Sequence, residues 1–178
     1  MQKLSKKNYT KIGILGGTFD PPHIGHLYIS KVALKKLKLD KIIWTITKKN
    51  PLKQKSHLSI KVRMKLSKKI IKKEKKIFIK YLDDLVKSSN TYDLLTYFKS
   101  KNKKTKFFFL MGADNLINLH KWKNWKKIPH LTKIIVFARP GYSVKSLNSI
   151  ASKKLKKNDW KYINSTKMHI SSSLIRKF

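Results

Sequence analysis

Five short, nearly continuous apolar runs constrain this fold more than any other feature: KIGIL (11–15), KIIWTI (41–46), KIFIKYL (76–82), KFFFLM (106–111) and KIIVFA (133–138). A strand with one wet face alternates apolar and polar residues. Runs without that alternation belong to strands buried on both faces, as in parallel sheets. The segments between them carry helical spacing. In the first, His26, Ile29, Ser30, Ala33 and Leu37 share a face that Val32 and Leu34 widen. Ile60, Met64 and Ile71 recur similarly over 57–71, TYDLLTYFKS (91–100) is a third candidate, and ADNLINLHKWKNWKKI (113–128) is one helix or two short ones. Strands alternating with helices predict βαβ units. The right-handed crossover rule then makes the default an α/β, Rossmann-like, doubly wound parallel sheet with helices on both faces. KYI (161–163) is a weaker sixth strand candidate. No internal repeat is visible, and lysine-rich KSKNKKTK (99–106) reads as a solvated loop. Residues 1–178 are expected to form one domain.

The formal net charge is +36, which suits a nucleic-acid binder in principle. Yet of 44 Lys and Arg residues only three are Arg (Arg63, Arg139 and Arg176), and the lysines are dispersed. Base-reading proteins favour the planar fork of arginine. Abundant Lys, Asn and Ile fit compositional bias, so the charge is read as that rather than as a nucleic-acid footprint. It still attracts anionic substrates. There is no cysteine, no apolar run long enough to span a bilayer, and no apolar stretch in MQKLSKKNYTK to make a signal peptide. A cytoplasmic protein without membrane attachment is expected.

Chemistry concentrates in GILGGTFDPPHIGH (13–26), which holds four of the six glycines, Gly13, Gly16, Gly17 and Gly25. It follows the first strand and opens a helix, where open α/β sheets bind ligands. Without Cβ atoms, Gly16 and Gly17 expose their N–H groups to a phosphate. Pro21 and Pro22 are expected in the first helical turn, where no donor is needed. His23 and His26 should point to one side, with Gly25 leaving room for an anion and the helix start favouring negative charge. The alternatives are a metal site built on the two histidines and Asp20, or two capped histidines without a role. The metal reading lacks a third ligand on the same element and leaves the glycines unexplained.

GGTFDPPHIGH resembles the HxGH motif of the nucleotidyltransferase superfamily, in the form found in nicotinate-nucleotide adenylyltransferases. The resemblance runs from about Lys11 to Phe178. It implies an enzyme of NAD biosynthesis that joins ATP and nicotinate mononucleotide, releasing pyrophosphate. It assigns catalysis to His23 and His26. Gly16, Gly17, Thr18, Phe19 and Lys53 (in NPLK) would bind ATP, as would Gly112 and Asp114 in MGADNL. Asp114 is an acceptor for ribose hydroxyls or a helix cap. HISSSLIRKF resembles the ISSTxIR motif, so Ser172, Ser173 and Arg176 would grip the departing phosphates. NTYDLLTYF resembles the stretch that holds the pyridine nucleotide, through Thr91, Tyr92 and Thr96. Asp93 stands where threonine is usual, and so either points away or weakens the preference for the acid. Asp84 falls where the family often has Glu. Trp122 matches the position that stacks on nicotinate, although spacing alone makes both Trp122 and Trp125 packing residues. Arg139 in ARPG would lie near the nucleotide. Mg²⁺ is implied on the ATP phosphates, with no dedicated protein metal site. Either histidine is expected to carry charge near neutral pH once phosphates are adjacent. The state is monomer or homo-oligomer. Alternatives are a nicotinamide-mononucleotide or phosphopantetheine adenylyltransferase or a cytidylyltransferase and, from another class, a non-catalytic basic nucleic-acid-binding protein.

Overall fold

The computed structural model describes residues 9–50, 52 and 56–164. Six strands form one all-parallel sheet: β1 (Thr10–Gly17), β2 (Lys41–Ile46), β3 (Ile77–Tyr81), β4 (Thr105–Gly112), β5 (Lys133–Phe137) and β6 (Trp160–Ile163). Their order across the sheet is β3-β2-β1-β4-β5-β6. The order reverses between β1 and β4, and that switch point opens a crevice at the carboxyl ends of the strands.

The continuous apolar runs resolve into two buried clusters, one on each face. Ile12, Ile14, Ile43, Phe107, Phe109, Ile134 and Val136 pack on one side. Leu15, Ile42, Trp44, Leu110, Ile135 and Phe137 pack on the other. Helices α1 (Ile24–Lys36) and α2 (Ile60–Ile70) cover the second face through Leu27, Ala33, Met64 and Ile70. The first is covered by α4 (Thr91–Lys101), α5 (Ala113–Asn118), α6 (Ile128–Leu131) and α8 (Ile150–Lys154), through Leu95, Phe98, Leu116, Ile128 and Ala151. Two further short helices, α3 (Asp83–Val86) and α7 (Ser143–Leu147), precede α4 and α8.

Gly13 is explained by packing. A Cβ there would lie 2.9 Å from Leu39 Cδ1 and 3.0 Å from Ile42 Cγ1. Two expectations are corrected. The run 76–82 forms an edge strand, with Phe78 and Lys80 exposed, so its burial is one-sided. The stretch 113–128 is broken: α5 ends at Asn118 and two single 3₁₀ turns follow, with Asn124 in the left-handed region at φ 50°.

Candidate active site

A cavity of about 1000 Å³ occupies the crevice. The ends of β1, β2, β4 and β5 supply its floor through Gly16, Gly17, Thr45, Ile46, Met111, Gly112 and Phe137. Thr18, Phe19, Asp20, His23, Gly25 and His26 form one wall.

The histidines are held by the start of α1. His23 is its N-cap, with extended backbone, and His26 is the third helical residue. Their rings stand 3.8 Å apart between centroids. The His23 backbone N–H donates to His26 Nδ1 at 3.2 Å, so a neutral His26 carries its hydrogen on Nε2. Below them the aromatic stack continues: Phe19 lies 4.6 Å from His26 and 5.0 Å from Trp44. Trp44 Nε1 donates to Ser30 Oγ at 2.9 Å, and Ser30 Oγ donates to the His26 carbonyl at 2.7 Å. Pro21 and Pro22 precede the N-cap rather than occupying the first turn.

Both histidines are neutral in the free protein. Burial, then the Arg139 charge, lowers His23 to about 4. His26 is held well below the ordinary imidazole value by burial, His23 and Arg139, against an opposing backbone hydrogen bond. Without a phosphate, desolvation wins; the charging expected near neutral pH concerns the site with phosphates adjacent. His23 Nδ1 is buried without a hydrogen-bond partner among the described residues.

On the opposite wall Arg139 Nη1 meets Asp114 Oδ2 at 2.6 Å, while Asp114 Oδ1 is buried and unpartnered among the described residues. The cap of α5 is Gly112, so Asp114 is not a capping residue. Thr91, Trp122 and Arg139 also line the cavity. Trp122 packs edge-on against Phe109, with centroids 6.1 Å apart.

The sequence profile of the cytidylyltransferase-like family matches residues 14–178. The probable nicotinate-nucleotide adenylyltransferase of Pelagibacter ubique is 52% identical over 168 residues, covering 94% of this chain and 93% of that one. The chain belongs to the cytidylyltransferase-like family, among the nicotinate-nucleotide adenylyltransferases. The corresponding protein of Bradyrhizobium (strain ORS 278) is 32% identical over 182 residues, covering 93% of this chain and 95% of that one. In fold the chain is similar to the nicotinic acid mononucleotide adenylyltransferase of Plasmodium falciparum, solved with NaAD. That match has a TM-score of 0.75 at 24% identity and covers 96% of this chain and 84% of that one.

Against the adenylyltransferase motifs, most expected residues converge on the cavity. Two do not line it. Thr96 is exposed, and its hydroxyl donates to the Tyr92 carbonyl at 2.9 Å. Tyr92 packs against the core cluster. Asp93 faces away: it accepts from Ser88 Oγ at 2.5 Å and pairs with Lys123 Nζ at 3.1 Å. Burial raises the Asp93 carboxyl, but Ser88 and Lys123 prevail and hold it below its ordinary value. Asp84 accepts the Tyr81 hydroxyl at 2.7 Å, and its neighbour Asp83 lines the cavity instead. Gly16 serves packing as much as ligand approach, since a Cβ would press on the Phe109 ring at 3.3 Å. Lys53, Ser172, Ser173 and Arg176 lie outside the described residues.

Sequence reasoning missed Asp20, Arg63 and Asp83 as organisers of the site. Asp20 is buried and accepts from the backbone N–H groups of His57 at 2.7 Å and Leu58 at 3.0 Å. Arg63, and Asp83 on the cavity wall, hold the loops that carry Thr18 and Thr47. The available signal was the choice of arginine at position 63 in a chain that uses lysine almost everywhere else.

Proposed function

We propose that this chain catalyses adenylyl transfer from ATP to nicotinate mononucleotide, giving nicotinate adenine dinucleotide and pyrophosphate. The observation that carries this is the histidine pair at the start of α1, opening on the same cavity as the Asp114–Arg139 pair and Trp122. Names of relatives that cover nearly the whole chain support the same reaction.

A 5′-phosphate oxygen of the mononucleotide attacks the α-phosphorus of ATP in line. The new P–O bond forms as the bond to the bridging α–β oxygen breaks, and pyrophosphate carries away the electron pair. No covalent enzyme intermediate is needed, because the attacking group is already an anion. The work left to the protein is positioning and charge stabilisation. His26, with its hydrogen on Nε2, donates to an α-phosphate oxygen. His23 gains its charge as the triphosphate enters, since an adjacent anion raises an imidazole that burial has lowered. Asp114 Oδ1 accepts from a ribose hydroxyl, and Trp122 offers a ring face to the pyridine. Ser172, Ser173, Arg176 and Lys53 are proposed to hold the β- and γ-phosphates.

Among the described residues no group of three or more His, Asp or Glu side chains could hold a metal ion alone. Each carboxylate around the cavity already has an amide, hydroxyl or Arg139 partner, and the oxygen left over on Asp114 is a single one. Such a wall suits Mg²⁺ arriving on the ATP phosphates, where it neutralises charge. The protein is proposed to act in the cytoplasm as a single domain; no helix among the described residues is long and apolar enough to cross a membrane.

The test is pyrophosphate release with Mg²⁺, using ATP or CTP against nicotinate mononucleotide, nicotinamide mononucleotide and phosphopantetheine. Fastest turnover is expected with ATP and nicotinate mononucleotide. Preference for any other pair, or salt-sensitive RNA retention without pyrophosphate release, overturns the reading.

A further inference from the structure

Three segments that shape the cavity are tied together by one buried guanidinium. Arg63 is 2% exposed and lies on α2. Its Nη1 donates to the carbonyls of Thr18 at 2.6 Å and Thr47 at 2.8 Å, its Nη2 to that of Lys48 at 3.3 Å, and its Nε to that of Leu58 at 3.0 Å. Asp83 grips the same 47–48 loop through its donors: Oδ2 accepts from Thr47 Oγ1 and Lys48 N, both at 2.8 Å, and from Ser89 Oγ at 2.5 Å. An unbroken polar chain therefore runs from Thr18, beside the histidines, through Arg63, the 47–48 loop and Asp83, to Ser89 beside Thr91. These are the two halves of the cavity that would hold the two substrates.

We propose that Arg63 is a positioning residue for the transfer reaction, fixing the Thr18–Phe19 peptide and, together with Asp83, the separation of the two substrate-holding walls. The inference rests on the adenylyltransferase reading. A trans peptide sends its C=O and N–H in opposite directions. With the Thr18 carbonyl turned to Arg63, the Phe19 N–H is turned away from it. Phe19 is also held in the left-handed region, at φ 49°, with its ring in the stack beneath His26. A residue that carries a β-carbon stays there only when its surroundings impose it. Lysine cannot substitute. It brings one point charge, whereas four carbonyls from three segments need the planar fork.

The experiment compares Arg63→Lys, Arg63→Met, Asp83→Asn and the Arg63→Lys/Asp83→Asn double variant in the full chain. Each is assayed by pyrophosphate release well below its own melting temperature. Both Arg63 variants are expected to lose kcat by about 10- to 100-fold while KM for each substrate stays within about threefold, the pattern of lost transition-state geometry. Asp83→Asn is expected to lose a smaller factor. The double variant should fall less than the product of the single effects, because both residues act on one loop. A purely structural role predicts that Arg63→Lys, keeping the charge, regains kcat within twofold, or that activity returns as the variants are cooled into their folded range. Either result overturns the proposal. If neither Arg63 variant folds, Asp83→Asn decides, and kcat within twofold of the parent overturns it. An inactive parent protein overturns the functional reading and this inference with it, while an active parent with unaffected variants overturns this inference alone.

Discussion

Arg139 Nη1 lies 2.6 Å from Asp114 Oδ2, a contact that joins the loop after β5 to the first turn of α5 along one wall of the cavity. The same guanidinium helps keep His23 and His26 uncharged. Replacing Arg139 with Gln should therefore raise the His23 value from about 4, by removing the second of its two causes. It should stay below 6.5, because burial remains. Histidine titration followed by NMR measures this directly. An unmoved His23 would show that Arg139 does not act on it.

Turnover depends on His23 more than folding does. His23→Ala should lower kcat by about 10²- to 10⁴-fold, the range for losing one donor to a developing charge or one proton-bearing side chain. The cap at α1 loses no side-chain hydrogen bond, since the His23 backbone makes the contact with His26. Far-ultraviolet circular dichroism should be unchanged, and kcat within tenfold of the parent would remove His23 from the chemistry.

The histidines also set a pH window for stability. The folded value of His23 lies below 6.5, so the unfolded chain takes up the proton first. Stability from this group is complete above about 6.5 and falls as the pH drops toward about 4. His23→Gln should flatten part of that fall, leaving the variant at least about 3 °C closer to the parent, or above it, at pH 4.5 than at pH 7.5. Thermal melts at the two pH values check the sign. ATP binding should shift His23 upward, and a downward shift would contradict the assigned contact with phosphate.

How much of this was legible before the structure follows from where each signal lies. Strands buried on both faces leave unbroken apolar runs, so β1, β2, β4 and β5 could be read directly. The edge strand β3 has the same composition but only one buried face, and composition does not reveal which strand ends a sheet. The histidine turn was readable because glycines, prolines and histidines crowd one strand–helix junction. Arg63 was not, because its partners are carbonyl groups, which every residue has, brought together from positions 18, 47, 48 and 58. Asp83 and Asp84 differ by one step around a single helical turn, and only the fold decides which faces the cavity.

Gly112 protects the position of Asp114. A Cβ at residue 112 would fall 2.5 Å from Asp114 Oδ1, the buried oxygen without a partner among the described residues. The obstacle is the end of a side chain, so the backbone can stay while the carboxylate moves. Gly112→Ala should cost less than about 2 kcal/mol of stability, within the ordinary range for a small overpacking. KM for ATP should rise by about tenfold, the effect of one displaced hydrogen bond to a charged group. A selective rise in KM for the mononucleotide would place the ribose of ATP elsewhere.

Asp93 tests whether a carboxylate near the pyridine-holding stretch governs the choice between acid and amide. Its oxygens are committed to Ser88 and to Lys123, whose side chain is half exposed. It does not line the cavity, whereas Lys123 does. Substituting Asp93→Thr should therefore leave any repulsion of a nicotinate carboxylate unchanged, because none acts across the intervening contacts. The pair with Lys123 is a surface one, so its loss should cost no more than about 1 kcal/mol. The freed Lys123 gains mobility at the mouth of the cavity, and its cation attracts the acid over the amide. The ratio of kcat/KM for nicotinate over nicotinamide mononucleotide should accordingly hold or rise by no more than about threefold, about 0.6 kcal/mol. A rise beyond about tenfold would mean that Asp93 acts on the substrate after all, and a fall would mean that its grip on Lys123 is what places a positive charge against the nicotinate carboxylate.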